Sequence, residues 1–256
     1  MHSGRQPRAS LRVAELRADL RRLIANSAAA PALRLVRRTI NSTYRQDWRD
    51  SEALKRLLPY VLRSGTIGID VGAHRGDFLR QLVAWLPDGR HIAYEPVPEL
   101  AASLRINFPS ADVRQAAAGD RRGLARFSIV PSQPGLSGFL PRGLEAQAVE
   151  VAVETLDTAV ASGTKVSFIK IDAEGAELLV LKGALALLER DKPHIAFEHG
   201  RGGADHYQVS PETVHDLLSR HLGMRLFDLH SDGPLDRHEF RRAYDSGTCW
   251  NFLAVP

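Results

Sequence analysis

The chain is poor in sulfur: of 256 residues one is cysteine, Cys249, and two are methionine. A lone cysteine excludes an internal disulfide and any cysteine-built metal cluster. With Trp250 and Phe252 as neighbours, that thiol is expected to be buried and inert. No run approaches the ~18 apolar residues of a membrane helix, and residues 1–25 lack the continuous apolar segment of a secretory signal, so a cytoplasmic protein is expected. Acids are scarce at one end only. Residues 1–50 hold eleven arginines against Glu15, Asp19, Asp47 and Asp50, which leaves the remainder slightly acidic under a net charge of +4. Basicity is therefore an N-terminal property, and the larger part of the chain has no pull towards nucleic acid. No internal repeat is visible.

What is present is organised around Thr66-Ile-Gly-Ile-Asp-Val-Gly-Ala-His-Arg-Gly76. Ile67, Ile69 and Val71 form a β-branched apolar run that ends at a glycine turn, the pattern of a buried parallel strand. Phe78, Leu79, Leu82, Val83 and Leu86 then recur at helical spacing until Pro87-Asp-Gly89 stops them. Strand, turn and helix make the first half of a doubly wound nucleotide-binding unit. Asp70 argues about the ligand. A pyrophosphate needs bare N–H groups and a helix N-terminus, and a carboxylate at the strand end would repel it. S-adenosylmethionine carries a sulfonium, an ammonium and a ribose diol instead, and suits Asp70 followed by Gly72, Ala73, His74 and Gly76. Glu95-Pro96 ends the next strand, where an acid holds ribose hydroxyls in such folds. Taken singly, Asp70 could cap a helix and Glu95 could be a surface acid; their ordered spacing favours the ligand.

Along the chain, residues 1–9 read as a disordered basic tail and 10–62 as an N-terminal helical extension. Leu11, Leu16, Leu20, Leu23 and Ile24 share a helix face opposite several arginines. That face can pack on its own domain, on a second subunit as a homodimer, or on an anionic surface. Residues 63–256 form the main domain. A strand is expected over 111–116, followed by a turn whose Ala117 or Asp120 could face a bound adenine. Residues 125–130 and 149–153 alternate like paired strands, and the turn-rich 131–147 between them reads as a loop or lid. Val166 to Ile171 is a buried strand ending at Asp172-Ala-Glu-Gly-Ala-Glu177, and His194-Ile-Ala-Phe-Glu198-His199 is the next. A helix over 211–222, a strand over 224–229 and a strand over 250–255 close the chain.

Ile69-Asp-Val-Gly-Ala-His-Arg-Gly76, Ala93-Tyr-Glu-Pro96, Glu154-Thr-Leu-Asp157, Phe168-Ile-Lys-Ile-Asp-Ala-Glu-Gly-Ala-Glu177 and Pro193-His-Ile-Ala-Phe-Glu198 together resemble the FkbM-type methyltransferases. These are mostly O-methyltransferases of secondary metabolites and glycans. The resemblance implies an α/β fold with the Rossmann-like seven-stranded sheet of class I methyltransferases, helices on both faces, and S-adenosylmethionine as cofactor. It leaves the acceptor open: a hydroxyl of a sugar, glycan or polyketide-type small molecule, or alternatively a nitrogen. A cofactor-binding module without catalysis is a further alternative.

Methyl transfer to a hydroxyl is an in-line displacement, so the acceptor oxygen must be held near the methyl carbon and lose its proton. Asp172 can orient or deprotonate that hydroxyl, with Glu174 on the following turn and Lys170 tuning the acids. Glu177 is expected to serve the helix N-terminus. Asp172 and the pair Glu198-His199 end adjacent strands. They could hold a divalent metal that lowers the hydroxyl pKa, or Glu198 or His199 could act directly as base. Histidine is a poor magnesium ligand, so the metal-free reading is preferred.

Overall fold

The computed structural model describes residues 42–130, 137–140, 146–230 and 233–256. The expected basic tail, the helices before residue 41 and most of the 131–147 loop lie outside the described residues. Two compact units are distinguished, residues 1–52 and 53–256. In the first, the described stretch opens helix α1 (Ser42–Val61), where Gln46 Nε2 donates to Asp50 Oδ1 at 2.8 Å, one turn on.

The second unit is built on a seven-stranded sheet. Its strands are β1 (Thr66–Val71), β2 (Ile92–Tyr94), β3 (Asp112–Arg114), β7 (Lys165–Ile171), β8 (His194–Glu198), β9 (Arg225–Asp228) and β10 (Asn251–Val255), in the order β3-β2-β1-β7-β8-β10-β9. Only β10 runs against its neighbours. The chain winds outward from β1 to β3, then returns to β7 on the other side of β1. This reversal opens a crevice at the carboxyl ends of β1 and β7, where ligands bind in open α/β sheets. The seven-stranded α/β class expected from the sequence is thus observed.

The alternating side chains of these strands sort into two layers. On one face Ile69, Ile169, Ile171, Ile195 and Phe197 pack with Leu156, Leu178, Leu181, Leu188, Val214 and Phe240. Those residues come from helices α4 (Leu156–Ala159), α5 (Glu177–Lys182), α6 (Leu185–Asp191), α7 (Pro211–His215) and α8 (Arg237–Ser246). On the other face Phe168 and Ala196 meet Leu54, Leu58 and Val61 of α1 and Leu82 of α2 (Asp77–Trp85). Leu79, Ala93 and Val113 meet Ala101 and Leu104 of α3 (Pro98–Asn107). A buried histidine braces this side. Gly68 N donates to His91 Nδ1 and His91 Nε2 lies 2.9 Å from Leu86 O, so the proton sits on Nε2, and burial pushes the ring pKa down. The expected helix over 211–222 is α7 followed by a π-helical stretch, Asp216–His221.

One element departs from the sequence reading. The strand expected over 111–116 stops at Arg114, and the chain crosses to β4 (Ala117–Ala118), which pairs with β6 (Gln147–Glu154). β6 in turn pairs antiparallel with β5 (Gly123–Ile129), giving a separate three-stranded sheet, β4-β6-β5. An apolar run through Ala116, Ala117 and Ala118 carries no mark of the crossing. Phe127 and Val151 of this small sheet pack with Val97 and Ala117.

Candidate active site

At the carboxyl ends of β1, β2 and β7 lies a cavity of about 220 Å³. Part of it is built by turns that sequence motifs marked. Gly72 adopts φ +76, and a Cβ there would stand 1.9 Å from Asp172 O, so only glycine lets the turns after β1 and β7 meet. Gly72 N and Ala73 N both donate to Tyr94 O, which ties the β1 turn to β2. Glu95 is buried, its two oxygens accepting His74 N at 2.7 Å and Val97 N at 2.9 Å. Burial nevertheless raises its pKa to about 7. Most of the remaining lining is apolar: Val71, Tyr94, Val97, Ala116 to Ala118, Phe127 and Phe139.

Behind Asp172 lies a cluster of charged side chains. Lys170 Nζ is 3.0 Å from Asp172 Oδ2 and 4.0 Å from Asp70 Oδ1. Asp70 and Lys170 are register partners on β1 and β7, and Glu198 ends the neighbouring β8, hydrogen-bonded to Asp172. Burial pushes Asp172 up. The Lys170 ammonium and the hydrogen bonds from Lys170 and Glu198 outweigh it and hold Asp172 below the usual carboxylate range. Glu198 goes the other way: burial, then the charges of Asp172, Glu174 and Glu177, raise it well above its ordinary value. It is therefore the protonated partner that donates to an ionised Asp172. Asp70 is buried, neither of its oxygens has a hydrogen-bond partner among the described residues, and burial raises its pKa to about 6.

The loop after β7 is shaped by Glu177, whose Oε1 accepts Ala173 N and Gly175 N, each at 2.9 Å. This is a local role at the start of α5, and burial raises Glu177 to about 7. Gly175, at φ +101, passes so close that a Cβ would lie 2.3 Å from Gly203 O. From the segment after β8, Tyr207 Oη accepts Phe139 N at 3.2 Å, while Gly138 bridges to Ser128.

Of the residues singled out from sequence, Gly72, His74, Glu95, Pro96, Ala117, Asp172 and Glu174 line the cavity. Lys170 and Glu198 support Asp172 from behind. Asp70 does not reach the cavity, because alternation along β1 points it at Lys170. Ala73 packs with Leu79 and Leu104, and Gly76 caps α2. Asp120 is exposed on its turn and does not line the cavity. His199 is the clearest departure. Consecutive strand residues face opposite sides of a sheet, so His199 turns from Glu198 into the helix layer, 5.0 Å from Tyr244 and stacked 5.9 Å from Phe240. Burial holds it neutral, with a pKa of about 4. Asp172, Glu198 and His199 therefore do not assemble an ion site, and among the described residues no three metal-ligating side chains do. Phe127, Ser137, Phe139 and Tyr207 were not singled out. The alternation of β5 places Phe127 inward, but nothing local marks the other three.

The model of the methyltransferase FkbM domain matches residues 70–226, a span that holds the β1 turn, Glu95 and the Asp172 cluster. The chain belongs to the FkbM methyltransferase family. Among solved structures, the methyltransferase FkbM from Methylobacillus flagellatus KT is 20% identical, with a TM-score of 0.48, over 77% of this chain and 45% of its own. The chain thus spans less than half the length of that relative. The O-methyltransferase TomG from Streptomyces achromogenes, involved in tomaymycin synthesis and solved with S-adenosylmethionine, is 14% identical over 98% of this chain and 90% of its own, TM-score 0.44. A putative methyltransferase from Streptococcus mutans, solved with S-adenosylhomocysteine, is 11% identical over 81% and 98%, TM-score 0.41. No curated protein matches the sequence.

Proposed function

We propose that this FkbM-family chain transfers a methyl group from S-adenosylmethionine to a hydroxyl oxygen of a sugar, glycan or polyketide-type small molecule. The observation that carries the reading is a cavity lined both by the acids Glu95, Asp172 and Glu174 and by a set of apolar side chains. Glu95 and Asp172 flank Gly72, whose missing side chain lets the turns after β1 and β7 meet at the cavity, and these carboxylates would repel a dinucleotide's phosphates. Glu95 retains acceptor lone pairs for the ribose hydroxyls beyond the two it gives to His74 and Val97. Tyr94, Val97, Ala117 and Phe127 form a surface for a purine ring. S-adenosylmethionine, when bound, supplies an electrophilic methyl group on a cationic sulfur. Asp172 orients the acceptor hydroxyl and takes its proton, Lys170 and Glu198 fix the Asp172 carboxylate, and Glu174 stands beside the acceptor. No step is derived through a metal ion. Incubation with methyl-labelled cofactor and a panel of hydroxyl and amine acceptors, read by a gain of one methyl group, tests the reading. Transfer to amines alone would replace oxygen by nitrogen.

Glu95→Ala is expected to weaken S-adenosylmethionine binding by ~1–3 kcal/mol, the range for a lost hydrogen bond to a charged group. Unchanged affinity by calorimetry would remove Glu95 from the ribose subsite. Glu198 separates two mechanisms. As a neutral donor to Asp172 it can be replaced by glutamine, so Glu198→Gln should keep kcat within about fivefold while Glu198→Ala falls further. Abolished turnover in the glutamine variant would instead make Glu198 the base.

A further inference from the structure

The far end of the central sheet holds a second hollow, of about 370 Å³. Its walls come from the α1–β1 connection (Arg63), the first residues of β7 and β8 (Lys165 and His194) and the end of α6 (Arg190, Asp191, Lys192). Two of these charges cancel locally. Arg190 holds Asp191 through bonds of 2.8 Å, and the second oxygen of Asp191 also accepts Val166 N. Arg63, Lys165 and Lys192 make no ion pair among the described residues. Three side chains from three elements thus bring uncompensated positive charge to one hollow, in a part of the chain that is otherwise slightly acidic. Even counted against a carboxylate at Pro256, the three leave it positive. Lys192 adds a second observation. It follows α6 at φ +47, a left-handed position that glycine or asparagine usually fills and that is strained for lysine.

We propose that this hollow binds a phosphoryl group, as carried by a phosphate monoester or diphosphate, at a site separate from the methyl-transfer cavity. Three exposed cations lining one hollow match a multiply charged oxyanion better than a single carboxylate. Lys165 and Asp172 are seven steps apart along β7, so at ~3.3 Å per step the two sites are about 23 Å apart and a small acceptor cannot span them. The bound group would hold a regulatory molecule, or a headgroup that tethers the protein. The proposal rests on no reading of the cavity. The test titrates the full chain with inorganic pyrophosphate at constant ionic strength by calorimetry, and in parallel floats it with vesicles containing phosphatidic acid, whose headgroup is a phosphate monoester. Lys192→Asn, suited to the left-handed backbone, combined with Arg63→Gln is expected to lower affinity for at least one probe by about tenfold or more. S-adenosylmethionine affinity should stay unchanged. Loss on vesicles alone identifies a headgroup, and loss on pyrophosphate identifies a free phosphoryl ligand. Absence of saturable binding of either probe, or binding that the double variant leaves unaltered, overturns the site.

Discussion

Asp172→Asn is expected to lower kcat by about 10²–10⁴-fold, the contribution of a positioned general base, a larger effect than the cofactor affinity lost with one negative charge at the cavity. The reason lies in its two supports. Lys170 at 3.0 Å and the Glu198 donor leave Asp172 ionised and fixed, a carboxylate at the cavity that can receive a proton without first losing one. Asparagine keeps the shape and removes that capacity. Because Asp172 stays ionised, the wild-type pH–rate profile should lack an acid limb due to this group down to about pH 4. Lys170→Met should then raise the Asp172 pKa, bringing an acid limb into the measurable range, with activity partly recovered at higher pH. Lys170→Arg should restore the wild-type profile. An acid limb unmoved by Lys170→Met would mean that Asp172 is not the titrating base.

How much of this site could be read from sequence depended on whether the signal was local. The β1 turn was legible because a buried β-branched run, an acid and a close-approach glycine fall within a few residues. Glu95 and Asp172 followed because parallel strands in a doubly wound sheet end at one crevice. His199 was misplaced for an equally simple reason: adjacent residues on a strand cannot converge, so only one of Glu198 and His199 could face Asp172. The same two-residue period would have put Lys170, Asp172 and Glu198 on one face and left Asp70 beneath them. Phe139 and Tyr207 meet through a bond between residues 68 positions apart, set by packing rather than by motif. The crossing from Arg114 to β4 was invisible because alanines suit either sheet.

Cofactor binding should be coupled to protons, and the sign follows from the acids around the cavity. Glu95 and Glu177 titrate near 7 and Glu198 well above its ordinary value, each raised chiefly by burial. A carboxyl whose folded pKa lies above its unfolded one binds more protons folded, so its contribution to stability is lost as pH rises through the folded value. Below about pH 6.5 the buried histidines His91 and His199, whose pKa values are lowered, oppose this trend because they must charge on unfolding. The clean window is therefore about pH 6.5 to 8. There the ligand-free protein should lose on the order of 1–3 kcal/mol, read as a falling urea midpoint. S-adenosylmethionine brings a sulfonium and an ammonium to these acids and favours the ionised carboxylates, so its affinity should rise by up to about tenfold across the same window. S-adenosylhomocysteine has a neutral thioether in place of the sulfonium, and its affinity should rise less. The affinity of the product relative to the substrate would then fall towards the alkaline end. Parallel pH dependences for the two ligands would mean that the carboxylates do not sense the sulfonium charge, and an affinity for S-adenosylmethionine that fell with pH would reverse the electrostatic assignment of the cavity.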